Sequence, residues 1–275
     1  MKILSISLLL FFQVSYGASS SAFSEKAKYP SFLRTVHSNE EIIEVIVSIL
    51  LHFKWKWVAF LNSGDDFGVD GLTSFIKRIK DTEICLPFTK TLTDYTNHSQ
   101  MFRQIDVQRI DIIVVFAPKL TAEDLIRSAI RVNVTNKVWI AGDTWSLNKM
   151  LPKERGIQNI GTVLGVSQSV VTIPGFSDFI HSSKSRIQCG HAKQPTLCNQ
   201  VCNCDSLTAE ELISMDPSFS FAVYSAVHAL ANALHNALQC EAGQCNDNIT
   251  LSPYMVSITI IREFIFDFCD DSTCR

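Results

Sequence analysis

The sequence predicts an α/β fold built on a parallel sheet, and three observations carry that expectation. Short, almost wholly apolar runs recur along the chain: "WKWVAFL" (55–61), "IDIIVVFAP" (110–118), "KVWIAGD" (137–143) and "IGTVLGVSQ" (160–168). Segments with helical spacing separate them. Several of the runs empty into small or polar residues. Strands that are apolar on both faces belong to a sheet covered by helices on both sides, which is the parallel arrangement.

The elements follow in order. The opening "MKILSISLLLFF" has the form of a short secretory signal, and "VSYGASSSAF" behind it reads either as the small-residue exit of that signal or as a Gly-Ser-rich loop at the mouth of a ligand site. Ser38 and Glu41 have capping-box spacing, and Ile42, Ile43, Ile46, Val47, Leu50 and Leu51 continue at helical period. "SGDDFGVDG" is expected to be a loop leaving the first long strand, with a helix from Leu72 to Ile79 and a short apolar piece, "EICLPF", behind it. A helix near Met101–Val107 and another over "AEDLIRSAIRV" flank the strand at 110–118. Beyond Pro174 a short helix, "PGFSDFIHSSK", precedes a Cys-, Asn- and Gln-rich stretch from Ile187 to Thr208. "FSFAVYSAVHALANALHNALQC" (219–240) reads as an Ala-rich helix buried on most sides, and "YMVSITIIREFIFDF" as helix or strand.

Composition narrows the function. Lys and Arg number 24 against 27 Asp and Glu, a formal charge of −3, which is no footprint for a nucleic-acid backbone. No apolar stretch reaches the roughly 18–20 residues that span a bilayer. Nine cysteines, four of them within Cys189–Cys204, point to an oxidising compartment. Sequons at Asn97, Asn133 and Asn248 agree with it. Cys198, Cys202 and Cys204 beside His191 have some zinc character, but disulfides suit the setting better. His228 and His235 lack a carboxylate spaced to complete a metal site, and Asp65, Asp66 and Asp70 lack calcium-loop spacing and read as a solvated turn. The common nucleotide, zinc-protease and serine-hydrolase signatures are missing, so no cofactor is expected.

What remains is geometric. Ligands meet an open parallel sheet at the carboxyl ends of its strands. Three such places carry small or polar groups: "GASSS", "SGDDFG" and "AGDTW" around Asp143. Serines and backbone N–H groups at a helix start suit a carboxylate, and an acid suits an ammonium. A site offering both fits a zwitterion such as a free amino acid.

Those same residues carry a resemblance. "QVSYGASSSAFSEKAKYPSFLRTVHSN", "LLHFKWKWVAFLNSGDDFG", "VTNKVWIAGDTWS", "IGTVLGVSQSVVTIPGFSDF", "CNQVCNC" and "FAVYSAVHALANALHNALQC" resemble the extracellular Venus-flytrap domain of class C G-protein-coupled receptors. Among these the type 1 taste receptors of vertebrates are the nearest in pattern, with pheromone and calcium-sensing receptors as neighbours. The resemblance implies a periplasmic-binding-protein-like fold of two lobes with one lobe incomplete. It places part of lobe one at 1–35, lobe two at 36–167, a lobe-one continuation at 168–260 with a Cys-rich loop at 187–208, and a divergent tail at 261–275. By the same resemblance the apolar start is the end of an internal segment and not a signal.

The resemblance also implies the site. A small amino acid or sugar lies between the lobes, its carboxylate at Gly17 and Ser19 with Tyr16 beside them, its ammonium at Asp143. Asn39 stands where glutamate receptors carry an acid and Phe67 where they carry a tyrosine, so two polar contacts are lost, though Asn39 also reads as a helix cap and Phe67 as packing. Cys240 and Cys245 are implied to pair locally, Cys189, Cys198, Cys202 and Cys204 to staple the loop, and Cys85 to await a partner in a stalk. The implied protein is a receptor and not an enzyme. It works at the outer face of the plasma membrane with a dimer partner, and reaches a G protein only through membrane helices that this chain lacks. A secreted flytrap-type binding protein and an α/β enzyme with a disulfide-bonded cap are the rival classes.

Overall fold

The computed structural model describes residues 13–168, 173–186 and 220–250 apart from 242 and 247, together with 255 and 259. Its centre is a five-stranded, wholly parallel sheet in the order β4-β3-β5-β6-β7. The strands are β3 (Trp57–Ser63), β4 (Cys85–Leu92), β5 (Ile112–Phe116), β6 (Lys137–Ala141) and β7 (Gly161–Gly165). A second, small sheet pairs β1 (Gln13–Ser15) with β2 (Phe32–Arg34), also parallel. The α/β architecture with a parallel sheet is therefore as expected.

Helices cover both faces. α1 (Asn39–His52) and α2 (Asp66–Ile79) lie on one, with Ile43, Ile46, Leu50 and Phe75 buried against Val58, Phe60, Val114 and Phe116. α3 (His98–Val107), α4 (Lys119–Arg131) and the single turn α5 (Asp143–Ser146) cover the other, around Trp139, Leu125, Ile105 and Trp145. Alternate residues of β3 enter the two cores, Val58 and Phe60 one way, Ala59 and Leu61 the other. This is the period-2 reading of a strand buried on both sides.

α1 begins where the capping box places it. Ser38 accepts from the Glu41 N–H at 3.1 Å, and the Glu41 carboxylate accepts from the Ser38 N–H at 2.6 Å. Burial works against this carboxylate, but the Ser38 bonds and the charges of His37 and Arg34 prevail, and its pKa lies below the usual value. Ser38→Ala should cost about 1 kcal/mol of stability. Urea melts of the two proteins measure it, and an unchanged midpoint would show the cap to be idle.

Three expectations are corrected. The loop after β3 is short because Asp65 caps α2 through the Gly68 N–H at 2.9 Å, so Phe67 through Gly71 are helical. A β-carbon at position 68 would sit 2.3 Å from the Ser63 carbonyl oxygen, so α2 approaches the strand end closely only because glycine stands there. β4 runs on to Leu92, well past "EICLPF". The Ala-rich helix, α7 (Ser220–Ala237), buries Ala222, Ala226, Ala233 and Ala237 while Val223, Val227 and Leu234 stay exposed among the described residues. It is tied to the end of β2 by the Thr35 hydroxyl, which donates to the Ala222 carbonyl at 2.8 Å.

α6 (Phe176–Arg186) is a helix as read. The Cys-rich loop, the 261–275 tail and most of "YMVSITIIREFIFDF" lie outside the described residues, as do Cys189, Cys198, Cys202 and Cys204. Cys240 and Cys245 form a disulfide. Cys85 is an exposed free thiol at the start of the edge strand β4. Asn97, Asn133 and Asn248 are all exposed. Among the described residues no helix is long and apolar enough to cross a membrane.

Candidate functional site

The strand order creates the site's position. After β3 the chain adds β4 on one side and then β5 on the other, so the connections leaving β3 and β5 diverge at their carboxyl ends. Such a switch point leaves a crevice in which open α/β sheets hold ligands. The residues at this end are Asn62 and Ser63 of β3, Phe116 of β5, and Gly142 and Asp143 beyond β6.

Phe116 joins the parts. Its ring stacks on Phe67 with centroids 4.5 Å apart, and a β-carbon on Gly142 would lie 3.5 Å from its Cδ2. Phe67 in turn is bound from α1, since Asn39 Nδ2 donates to its carbonyl at 3.5 Å. Asn39 also meets the serine segment, donating its backbone N–H to the Ser19 carbonyl at 2.8 Å. A chain of contacts thus links Ser19, Asn39, Phe67, Phe116 and Gly142, the residue before Asp143.

Three oxygens here are buried without a hydrogen-bond partner: Oδ1 of Asn39, of Asn62 and of Asp143. Buried acceptors are almost always satisfied, so each such atom asks for a donor. Asp143 asks most strongly. Burial pushes its carboxyl above the usual range, while the backbone N–H groups of Thr144 and Asp143 and the charge of His37 pull it back down. Asn39 and Asn62 are each only 1 % exposed.

The serine segment differs from the helix start expected of it. Residues 21–24 form one 3-10 turn, and several amides there already have acceptors. The Ser15 hydroxyl takes the N–H groups of Gly17 and Ala18 at 3.3 and 2.9 Å, and Ser20 Oγ takes that of Ala22 at 3.4 Å. The Ser21 N–H donates to Asp70 Oδ2 at 2.9 Å. Arg34 holds the turn from below, donating to the Ser20 carbonyl at 2.9 Å and to Ser24 Oγ at 2.5 Å. Its guanidinium pKa is lowered, chiefly by burial, against the opposing pull of Glu41 and Asp70. Tyr16 is 54 % exposed and Gly17 is exposed, so neither is fixed against the Phe116 corner.

Two residues changed character. Asn39 does not cap α1, because Ser38 does. Its amide reaches across to α2 instead. Asp70 is no solvated-turn acid but a half-buried acceptor shared by Ser21 and Asn39. Nothing in the sequence singled out the contacts that Phe116 and Asp70 make here. A spacing of three from Phe67 to Asp70 on one helix was the only trace.

A groove of about 510 Å³ lies elsewhere, between the outer faces of α1 and α2. Lys77–Glu40 at 3.1 Å and the Arg78–Glu44 pair bridge it. Exposed pairs of this kind contribute little to stability.

The comparisons with known proteins identify the family. Residues 6–263 match the family described as the receptor family ligand binding region. The chain is 33% identical over 256 residues to the taste receptor type 1 member 2 of Saimiri sciureus, covering 87% of this chain and 30% of that protein. It is 33% identical over 261 residues to the same receptor of Pongo pygmaeus and 32% over 261 residues to that of Homo sapiens, covering in each case 89% of this chain and 31% of the relative. The chain thus spans about a third of the length of these relatives. A parallel α/β unit whose strand order switches between β3 and β5, matched over most of its length by that family, belongs to the receptor family ligand binding region and is a class C G-protein-coupled-receptor ligand-binding domain similar to those of the type 1 taste receptors.

Proposed function

We propose that this domain binds a small free amino acid in the crevice between the serine segment and the β3/β5/β6 strand ends. The observation that carries the reading is the Asp143 carboxylate, whose Oδ1 is buried and unpartnered one residue beyond Gly142. A buried anion is costly unless a cation meets it, and an ammonium supplies both the charge and three N–H donors. Asn39 Oδ1 accepts a further donor, and Phe67, half-buried and stacked on the fully buried Phe116, offers an apolar surface. The guest's carboxylate is taken by the serine segment around Ser19, with Gly17 and Tyr16 adjusting to it. A sugar brings hydroxyl donors but no cation, and so leaves Asp143 uncompensated.

In this reading residues 1–35 and 168–260 belong to one lobe and 36–167 to the other. Ligand favours the closed arrangement by binding it more tightly than the open one. Closure is passed to a partner subunit and, through membrane helices, to a G protein, with this domain on the extracellular side. No bond is made or broken, so the chain is a receptor part and not an enzyme. Asn97, Asn133 and Asn248 are the proposed glycan acceptors, and Cys85 the proposed link to a following module.

Calorimetric titration of the chain with single L-amino acids, and with glucose and sucrose, tests the proposal. At least one amino acid binds, and the sugars do not. Binding by sugars alone, or by nothing in either set, overturns it.

A further inference from the structure

Asn39 carries an amide whose orientation is dictated by a charged neighbour. Its Nδ2 lies 2.7 Å from Asp70 Oδ2. A carboxylate offers acceptors only, so the nitrogen must face it, and a flipped amide would set oxygen against oxygen. The flip is thereby excluded, and Oδ1 is left as a buried acceptor with no partner. The same Asp70 oxygen accepts the Ser21 N–H at 2.9 Å, and Ser21 Oγ lies 3.5 Å from Ser74 Oγ one turn further along α2. Arg34 faces Asp70 from β2.

We propose that Asp70 is a positioning residue: it locks the Asn39 amide with its oxygen toward the guest and fixes the serine turn to α2. The second recognition point is then a neutral acceptor, while Asp143 is the charged one. Together they select a guest with one cationic group and a neighbouring neutral N–H or O–H donor, and they disfavour a guest with two cations. The guest-facing part rests on the amino-acid reading above. The locking of Asn39 by Asp70 does not.

Exchange of the two side chains is the test. Asn39→Asp sets two carboxylates against each other and should lower the folding equilibrium constant about tenfold or more. Asp70→Asn removes the charged acceptor and frees the amide to flip. The double variant, Asn39→Asp with Asp70→Asn, restores one donor facing one acceptor, and should return to within about threefold of the wild type. If Asn39→Asp fails to fold, the cycle of Asn39→Ala and Asp70→Ala reads the same coupling. Additive losses in either cycle overturn the positioning role.

Calorimetry with L-serine and L-lysine reads the guest-facing part. The exchanged variant carries its anion at position 39, so its preference should move toward L-lysine by about tenfold relative to the wild type. Coupling without that move overturns the guest-facing part alone. Coupling in a chain that binds no amino acid overturns the amino-acid reading and leaves the Asp70–Asn39 lock standing.

Discussion

Asp143→Asn is expected to weaken amino-acid binding severely and, at the same time, to make the fold more stable. Both effects have one cause. In the free domain the carboxylate is desolvated, and its Oδ1 has no donor. Burial raises its pKa in the folded state above the unfolded value. An acid shifted in that direction binds protons more tightly when folded, so unfolding releases them and stability falls as pH rises. The loss begins near the ordinary aspartate value of about 4, grows up to the raised folded value, and is complete above it. The charge of His37 offsets part of it without cancelling it. The replacing amide has no charge to desolvate, so the variant should gain about 1–3 kcal/mol at neutral pH and lose the Asp143 contribution to the slope through that window. Affinity should fall by about 2–5 kcal/mol, the usual result of removing one side of a buried charge pair. Urea melts at a series of pH values and calorimetry at neutral pH give the two numbers. A variant that is less stable at neutral pH, yet binds as the wild type does, would refute the assignment.

Much of this was legible in the residues. The strands at 57–63, 112–116, 137–141 and 161–165 announced themselves as apolar runs, and the α1 cap was written out as Ser38 and Glu41. Asp143 was picked out because an acid just beyond the end of a strand of a parallel sheet stands where such sheets present ligands. The misreadings share a physical origin. Glycines at 68 and 71 signal a loop by propensity, whereas here they let α2 lie against β3 and β5. The serine run suggested open amides, but Ser15, Ser20 and Asp70 occupy several of them, and side-chain acceptors arriving from elsewhere leave no local signature. Phe116 is the core residue its apolar strand suggested, fully buried and pressed between α2 and Gly142. What it meets depends on which strand lies beside which, and the order β4-β3-β5 is a tertiary fact.

Gly71→Ala should show how tightly that order constrains the site. In an exposed helix interior the change would add stability, because alanine loses less backbone entropy than glycine, by about 1 kcal/mol. Here an added β-carbon would stand 2.2 Å from Phe116 Cδ1 and 2.4 Å from Cε1. The ring cannot simply step aside. Phe67 is stacked on it at 4.5 Å, Phe60 lies 6.2 Å away, and Gly142 closes in on its Cδ2 edge. Either the ring is driven toward Gly142 and the Asp143 corner, or α2 lifts and takes Asp70 away from Asn39 and Ser21. The first route disturbs the charged recognition point and the second the neutral one. The expected result is a net loss of about 1–3 kcal/mol in stability, with amino-acid binding weakened in the same protein. Phe116→Leu, which removes the obstructing ring edge, should recover part of the stability when combined with Gly71→Ala, although the ring under Phe67 is then lost. A Gly71→Ala protein as stable as the wild type in urea, binding with unchanged affinity, would mean that α2 does not press on Phe116 and that the crevice is not built around that ring.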